Sequence, residues 1–180
     1  MLSLQTPQDL VFALRLIRAC ATARNRAPSG ATPEEAWASW SAASELVWVA
    51  ARVGVDPSVV RAAVLECLSR VADACGEPDA PAVVMALRAG LLGESSAEDT
   101  QARVQGYCVT HPSALAWSLE TLIPLLYGAC RTTEGDVLHD ALVLPSATRG
   151  TKAFADVVRG MIPFQKVAEA YATFTPDADG

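Results

Sequence analysis

The chain has 180 residues, of which 51% are hydrophobic and 19% are charged, so it can bury a sizeable core and is not a disordered polymer. Its formal net charge of −6 argues against nucleic acid or an anionic membrane surface as the main partner. The longest apolar stretch, residues 80–93, is too short to span a bilayer, and no basic region precedes the apolar residues of the N-terminus, which predicts a cytoplasmic protein with no membrane span.

The first two predicted helices carry clear start signals. Thr6 is an N-cap candidate followed by a proline, and the apolar spacing predicts a helix that runs to about Arg24. The second helix is predicted from Thr32 to Gly54. Thr32 can form a capping box with Glu35, and Gly54 can take the left-handed conformation that ends a helix. Three of the four tryptophans lie in this stretch at helical spacing, so we predict that this tryptophan helix is the centre of an all-helical core.

The rest of the chain repeats the same pattern of capped helices. Further helices are predicted over residues 57–75, 79–93, 95–109, 112 onward with a kink at Pro124, 134–144, 152–161 and 163–174. Ser95 and Glu98 form a predicted capping box. Period-two alternation is nearly absent, so the fold is predicted to be all-α, with roughly eight helices in an irregular bundle or a short α-solenoid-like array. Residues 1–174 are expected to form a single domain and residues 175–180 a disordered tail.

Few residues suggest catalytic or metal chemistry. The chain has two histidines, His111 and His139, and five cysteines without a C-x-x-C pair. His139 precedes Asp140, so a carboxylate–imidazole pair can form there, by accident of helical spacing or for a function. Glu45 is a lone carboxylate on the apolar part of the tryptophan helix, and we expect it to lie on a solvated strip. We therefore predict no catalytic residue, no metal site and no cofactor.

The cysteines and glycines have simple structural interpretations. Because their number is odd and each lies within a predicted helix, the cysteines are expected to be reduced and buried. Glycines at positions 90, 106, 128 and 160 lie at helix ends or inside predicted helices, and close helix packing is the expected reason.

Four segments resemble the helical immunity proteins of bacterial toxin systems. They are LVWVAARVGVD, VLECLSRVA, MALRAGLLGESSAEDTQARV and FADVVRGMIPFQKVAEAY, and the likeness covers residues 33–105 and 153–171. Residues 106–152 depart from the pattern. The resemblance implies a non-enzymatic protein that binds a cognate toxin, and it supplies no catalytic residues.

An uneven charge distribution gives candidate residues for binding such a partner. Residues 73–140 contain ten acidic and three arginine side chains, a net charge of −7. The simplest interpretation is a solvated surface, and the functional one is an acidic face that docks onto a basic protein. The candidate docking residues are Glu94, Glu98, Asp99, Glu134, Asp136 and Asp140.

Three classes of function remain open from the sequence. The first is a protein-binding helical domain that neutralises a toxin or binds another protein. The second is a structural or adaptor module of a bacterial assembly, which would leave a self-associating or partner-covered face. The third is an enzyme or small-ligand receptor in which the tryptophan helix forms a pocket wall and Glu45 or His139 supplies polarity.

Overall fold

The computed structural model describes residues 2–19, 24, 32–128, 131–149 and 151–175, and every regular element among them is an α-helix. The all-α prediction is confirmed. The described helices are α1 (Pro7–Leu16), α2 (Pro33–Ser39), α3 (Ala43–Val53), α4 (Pro57–Cys75), α5 (Ala80–Leu91), α6 (Ala97–Thr110), α7 (Ala114–Thr121), α8 (Ile123–Leu126), α9 (Arg131–Arg149), α10 (Thr151–Met161) and α11 (Phe164–Thr173). The predicted tail lies outside the described residues from residue 176 onward.

The predicted helix starts are confirmed where side-chain capping is local. Thr6 and Thr32 each form a complete capping box with the acid three residues later. Asp56 caps α4 by accepting from the backbone N–H of Ser58 at 2.8 Å. Gly54 ends α3 in the left-handed conformation, with φ of 93°. These contacts satisfy backbone groups that a helix end leaves without partners.

The tryptophan helix is two helices, so the prediction of one continuous helix is wrong. The backbone becomes extended at Trp40, with ψ of 118°, and α3 begins again at Ala43. The side chain of Arg159 on α10 donates to the carbonyl oxygens of Trp37 at 3.4 Å and Trp40 at 2.6 Å. These hydrogen bonds satisfy carbonyl groups that the end of α2 leaves without a partner within the helix. The indole side chains of Trp37 and Trp40 are buried.

Other boundaries also differ from the prediction. Helix α1 ends at Leu16, well before the predicted Arg24, because the chain turns into the left-handed region at Arg18. The cap of α6 is Ser96 and not Ser95, so the box predicted with Glu98 does not form. The predicted interruption near Pro124 is confirmed as the boundary between α7 and α8.

Helix α3 lies at the centre of the packing. It contacts α4, α9, α10 and α11, while α5 and α6 pack together to one side of α4. The buried side chains between Leu4 and Tyr171 form one contiguous hydrophobic cluster. Among the described residues, no helix has the length and apolarity that a bilayer crossing requires.

Candidate functional site

A cleft opens where α9 crosses α3. The crossing is close because α9 carries a glycine there: a Cβ added to Gly135 would lie only 3.2 Å from the Cβ of Ala51. The resulting α3–α9 cleft has a volume of about 320 Å³. Its described lining residues come from α3, from α9 and from the turn after α1, and they are Arg18, Glu45, Trp48, Val49, Arg52, Asp136, His139 and Asp140.

One wall of the cleft is an interlocked group of three side chains. The indole Nε1 of Trp48 donates to Asp136 Oδ1 at 2.7 Å. The guanidinium of Arg52 lies 5.4 Å from the centre of the same indole ring, and its Nη2 is 3.6 Å from Asp136 Oδ2. The Nε of Arg52 is buried and has no hydrogen-bond partner among the described residues. The wall therefore contains a buried donor without an acceptor, which is costly unless something supplies one.

The rim formed by α9 holds the imidazole–carboxylate pair that the sequence suggested. His139 Nδ1 lies 3.0 Å from Asp140 Oδ1, and their side chains are 33% and 59% exposed. Both side chains line the cleft, so the pair presents an imidazole and a carboxylate to it. Asp136 lies one helical turn before Asp140 and is 52% exposed, so the two carboxylates share this rim.

Glu45 is buried, so its expected place on a solvated strip is wrong. Only 8% of the residue is exposed, and its Oε2 accepts from the indole Nε1 of Trp40 at 2.7 Å. This contact depends on the break between α2 and α3. The extended backbone at Trp40 allows its indole to reach the first turn of α3, where Glu45 lies.

Arg18 lines the cleft, although no sequence pattern singled it out. Its φ of 59° makes it the one non-glycine residue with positive φ in the described part of the chain. The N–H of Ala19 donates to the carbonyl of Leu14 at 2.8 Å, which is the bond of a Schellman motif that usually places glycine where Arg18 lies. In the described structure no ion pair or hydrogen bond holds its guanidinium. No sequence signal marks this turn, because the apolar periodicity predicts that the first helix continues beyond Arg18 to about Arg24.

The six predicted docking acids do not form one group. Glu94, Glu98 and Asp99 are exposed around the turn between α5 and α6. Asp136 and Asp140 lie at the cleft rim. Glu134 is 4% exposed. The carboxylate of Glu134 accepts from Arg61 Nε at 2.6 Å and Nη2 at 3.1 Å, so it pairs two helices and is not available on the surface.

Comparisons with known proteins add no relative. No family model, no curated protein and no solved structure matches this chain. The site is therefore interpreted from its own geometry.

A second, shallower depression lies between α5 and α6. Small residues line much of it, and Tyr107 and His111 stand at one end with ring centroids 4.9 Å apart. The hydroxyl of Tyr107 bonds the carboxylate of Glu77. Burial, followed by the hydrogen bond to this carboxylate, raises the pKa of Tyr107, so the protonated phenol is favoured.

Cys67 is buried, and its environment disfavours the thiolate form. Burial raises the pKa of the Cys67 thiol to about 12, and its Sγ lies 3.9 Å from the carbonyl oxygen of Phe154. Cys75 and Cys108 are partly buried, and Cys20 and Cys130 lie outside the described residues. No group of histidine, cysteine and acidic residues suited to a metal ion occurs within the described ranges.

We expect Cys67 to react with a thiol reagent only after unfolding. At pH 8 its alkylation in the native protein should be about a hundredfold or more slower than in concentrated urea, because both burial and the neutral thiol disfavour attack. Peptide mass spectrometry after timed alkylation assigns the rate to each cysteine. Cys75, which is partly exposed, is the internal control, and equal native rates at Cys67 and Cys75 would contradict the expectation.

Proposed function

We propose that this chain is a non-enzymatic binding protein that holds a small ligand in the α3–α9 cleft. The observation that carries the proposal is the lining of this cleft. Apolar surface from Trp48 and Val49 meets converging charged groups, and a cavity of about 320 Å³ is at the lower end of the volume range of ligand sites. The side chain of Arg52 is 30% exposed, so part of its guanidinium can reach a ligand in the cleft.

The chemistry of the lining favours binding over catalysis. None of the described lining residues is a serine, threonine or cysteine, so these residues provide no hydroxyl or thiol nucleophile for the imidazole of His139 to activate. Asp136 and Glu45 each accept a bond from an indole N–H. Such bonds fix a carboxylate in place, which suits a receptor that must present its charges in a constant geometry.

A thermal-shift screen of small polar metabolites tests the proposal. A ligand present at a hundred times its Kd should raise the melting temperature of a domain of this size by about 5–10 °C. The shift should be largely lost in Arg52→Gln, which removes the guanidinium from the cleft. Arg70→Gln is the matched control, because Arg70 lies on α4, is 60% exposed and forms an ion pair with Glu66 on the same helix. A shift that survives equally in both variants would place the ligand elsewhere.

A second candidate is the binding of a basic protein, including a cognate toxin. It is favoured by two exposed apolar side chains, Met85 on α5, which is 59% exposed, and Leu92 just after this helix, which is 61% exposed. The exposed Glu94, Glu98 and Asp99 follow Leu92 closely in the chain. An apolar anchor edged by carboxylates would complement a partner that presents an apolar pocket within a basic surface.

Charge reversal tests this candidate independently of the cleft. The triple variant Glu94→Lys, Glu98→Lys and Asp99→Lys should abolish co-purification of a stoichiometric partner and any relief of its toxicity. Asp136→Lys with Asp140→Lys serves as the control, because those acids lie at the cleft rim. If the protein instead elutes as an obligate oligomer that Met85→Lys dissociates, the adaptor or structural class is supported in place of toxin neutralisation.

A further inference from the structure

We infer that the ligand of the α3–α9 cleft is a small zwitterion with an apolar body, of the size and charge pattern of a free amino acid. The inference rests on the proposed function of the cleft. It adds the chemical class of the ligand, and each part of that class follows from a separate feature of the lining.

The donors of the cleft require an anionic group. Arg18 is exposed, and in the described part of the structure its guanidinium has no ion pair or hydrogen bond. Among the described residues Arg52 has one long ion pair, at 3.6 Å, and its side chain is 30% exposed. Two guanidinium groups with unused donors match the two oxygens of a carboxylate better than any neutral group.

The acceptors of the same cleft require a cationic group. Asp136 and Asp140 are 52% and 59% exposed on one rim. A carboxylate has about four acceptor positions. Among the described residues, Asp136 accepts one hydrogen bond, from Trp48, and has a long ion pair with Arg52, while Asp140 contacts His139, so both carboxylates keep unused acceptor positions there. An ammonium group, with three donors, can use them.

The balance of charges disfavours a ligand of one sign. The described lining contains Arg18 and Arg52 and, at the rim, Asp136 and Asp140, so a simple anion would meet repulsion from the carboxylates and a simple cation would meet repulsion from the guanidinium groups. A zwitterion satisfies both sets without changing the net charge of the site. Trp48 and Val49 together provide apolar surface that an apolar side chain of the ligand can contact.

The backbone at Arg18 gives independent support. A residue with a Cβ at φ of 59° occupies a position where glycine is usually found, and the left-handed conformation disfavours it. No protein contact of its guanidinium offsets this strain in the described structure. Backbone strain of this kind is concentrated at ligand sites. A guanidinium that binds a ligand in the cleft would explain why an arginine and not a glycine occupies position 18.

Blocked amino acids separate the possible ligand classes by calorimetry. L-Leucine and L-phenylalanine are the zwitterions, their N-acetyl derivatives carry only the anion, and their amides carry only the cation. We expect at least one free amino acid to bind, and both of its blocked forms to bind at least tenfold more weakly, on the order of one lost charged hydrogen bond. A blocked form that binds as tightly as its parent overturns the inference.

The two levels of the proposal fail differently. If neither free amino acid binds but a metabolite of another charge type gives an Arg52-dependent thermal shift, the zwitterion is wrong and the ligand-binding function stands. If neither free amino acid nor any screened compound gives such a shift, the function itself is wrong.

Arg18→Gly gives a readout that a purely structural role would not produce. Glycine relieves the left-handed strain, so the melting temperature should rise by about 2–3 °C while the affinity for the bound amino acid falls at least tenfold. Arg15→Gln, at an exposed position of α1, is the control and should change neither. A more stable Arg18→Gly protein with unchanged affinity would show that Arg18 does not contact the ligand.

Discussion

Glu134→Ala should lower the free energy of unfolding by about 2–3 kcal/mol. Glu134 is 4% exposed and its carboxylate makes a two-point contact with Arg61, at 2.6 and 3.1 Å. Loss of one partner of a buried pair costs about 3–5 kcal/mol because the other charge is left without compensation. The side chain of Arg61 is 27% exposed, so water relieves part of that cost. Urea denaturation followed by circular dichroism measures the change.

Two further variants show whether the loss arises from the pair. Glu98→Ala removes an exposed acid and should change stability by about 0.5 kcal/mol or less. The double variant Glu134→Ala with Arg61→Ala should be less destabilised than the sum of the two single variants, because no unpaired charge remains. A loss below about 1 kcal/mol for Glu134→Ala would mean that Arg61 is solvated nearly as well without its partner.

The sequence was sufficient for the helices whose ends depend on neighbouring residues. Thr32 bonds Glu35 three positions away, and Gly54 changes the backbone direction by itself, so both boundaries could be predicted without knowledge of the fold. Helical geometry could also have separated the predicted acids of α9 into two groups. Asp136 and Asp140 are one turn apart and share a face, whereas Glu134 lies on a different side of the helix, which faces α4.

The features that the sequence did not predict depend on distant contacts. The end of α2 is held by Arg159, which is 119 residues away from Trp40 along the chain. That break in turn brings the indole of Trp40 to Glu45. The sequence named Glu45, His139 and the tryptophan helix as parts of a possible pocket. It could not bring Arg18 to the same cleft, because that requires the early end of α1 and the crossing of α9 over α3.

Gly90→Ala should destabilise the protein by about 1–3 kcal/mol, although alanine is the better helix former by about 1 kcal/mol. A Cβ at Gly90 would lie 2.5 Å from Oγ1 and 2.7 Å from Cγ2 of Thr100, and 2.9 Å from Cδ2 of Leu126. Thr100 is 1% exposed and its hydroxyl is bonded to Ser95 at 2.8 Å, so it cannot move away freely. The expected packing reason for this glycine therefore holds, and thermal denaturation measures the loss.

Gly106→Ala is the matched substitution, and it should have the opposite sign. Gly106 lies inside α6, and an added Cβ meets nothing within 4 Å, so alanine should stabilise the helix by about 0.5–1 kcal/mol. Thr100→Ala in the Gly90→Ala background should recover part of the lost stability, since it removes two of the three contacting atoms. Equal stability of Gly90→Ala and Gly106→Ala would contradict this prediction, because it would require α5 and α6 to move apart without loss of stability. The close packing around the buried Thr100 makes such a movement unfavourable.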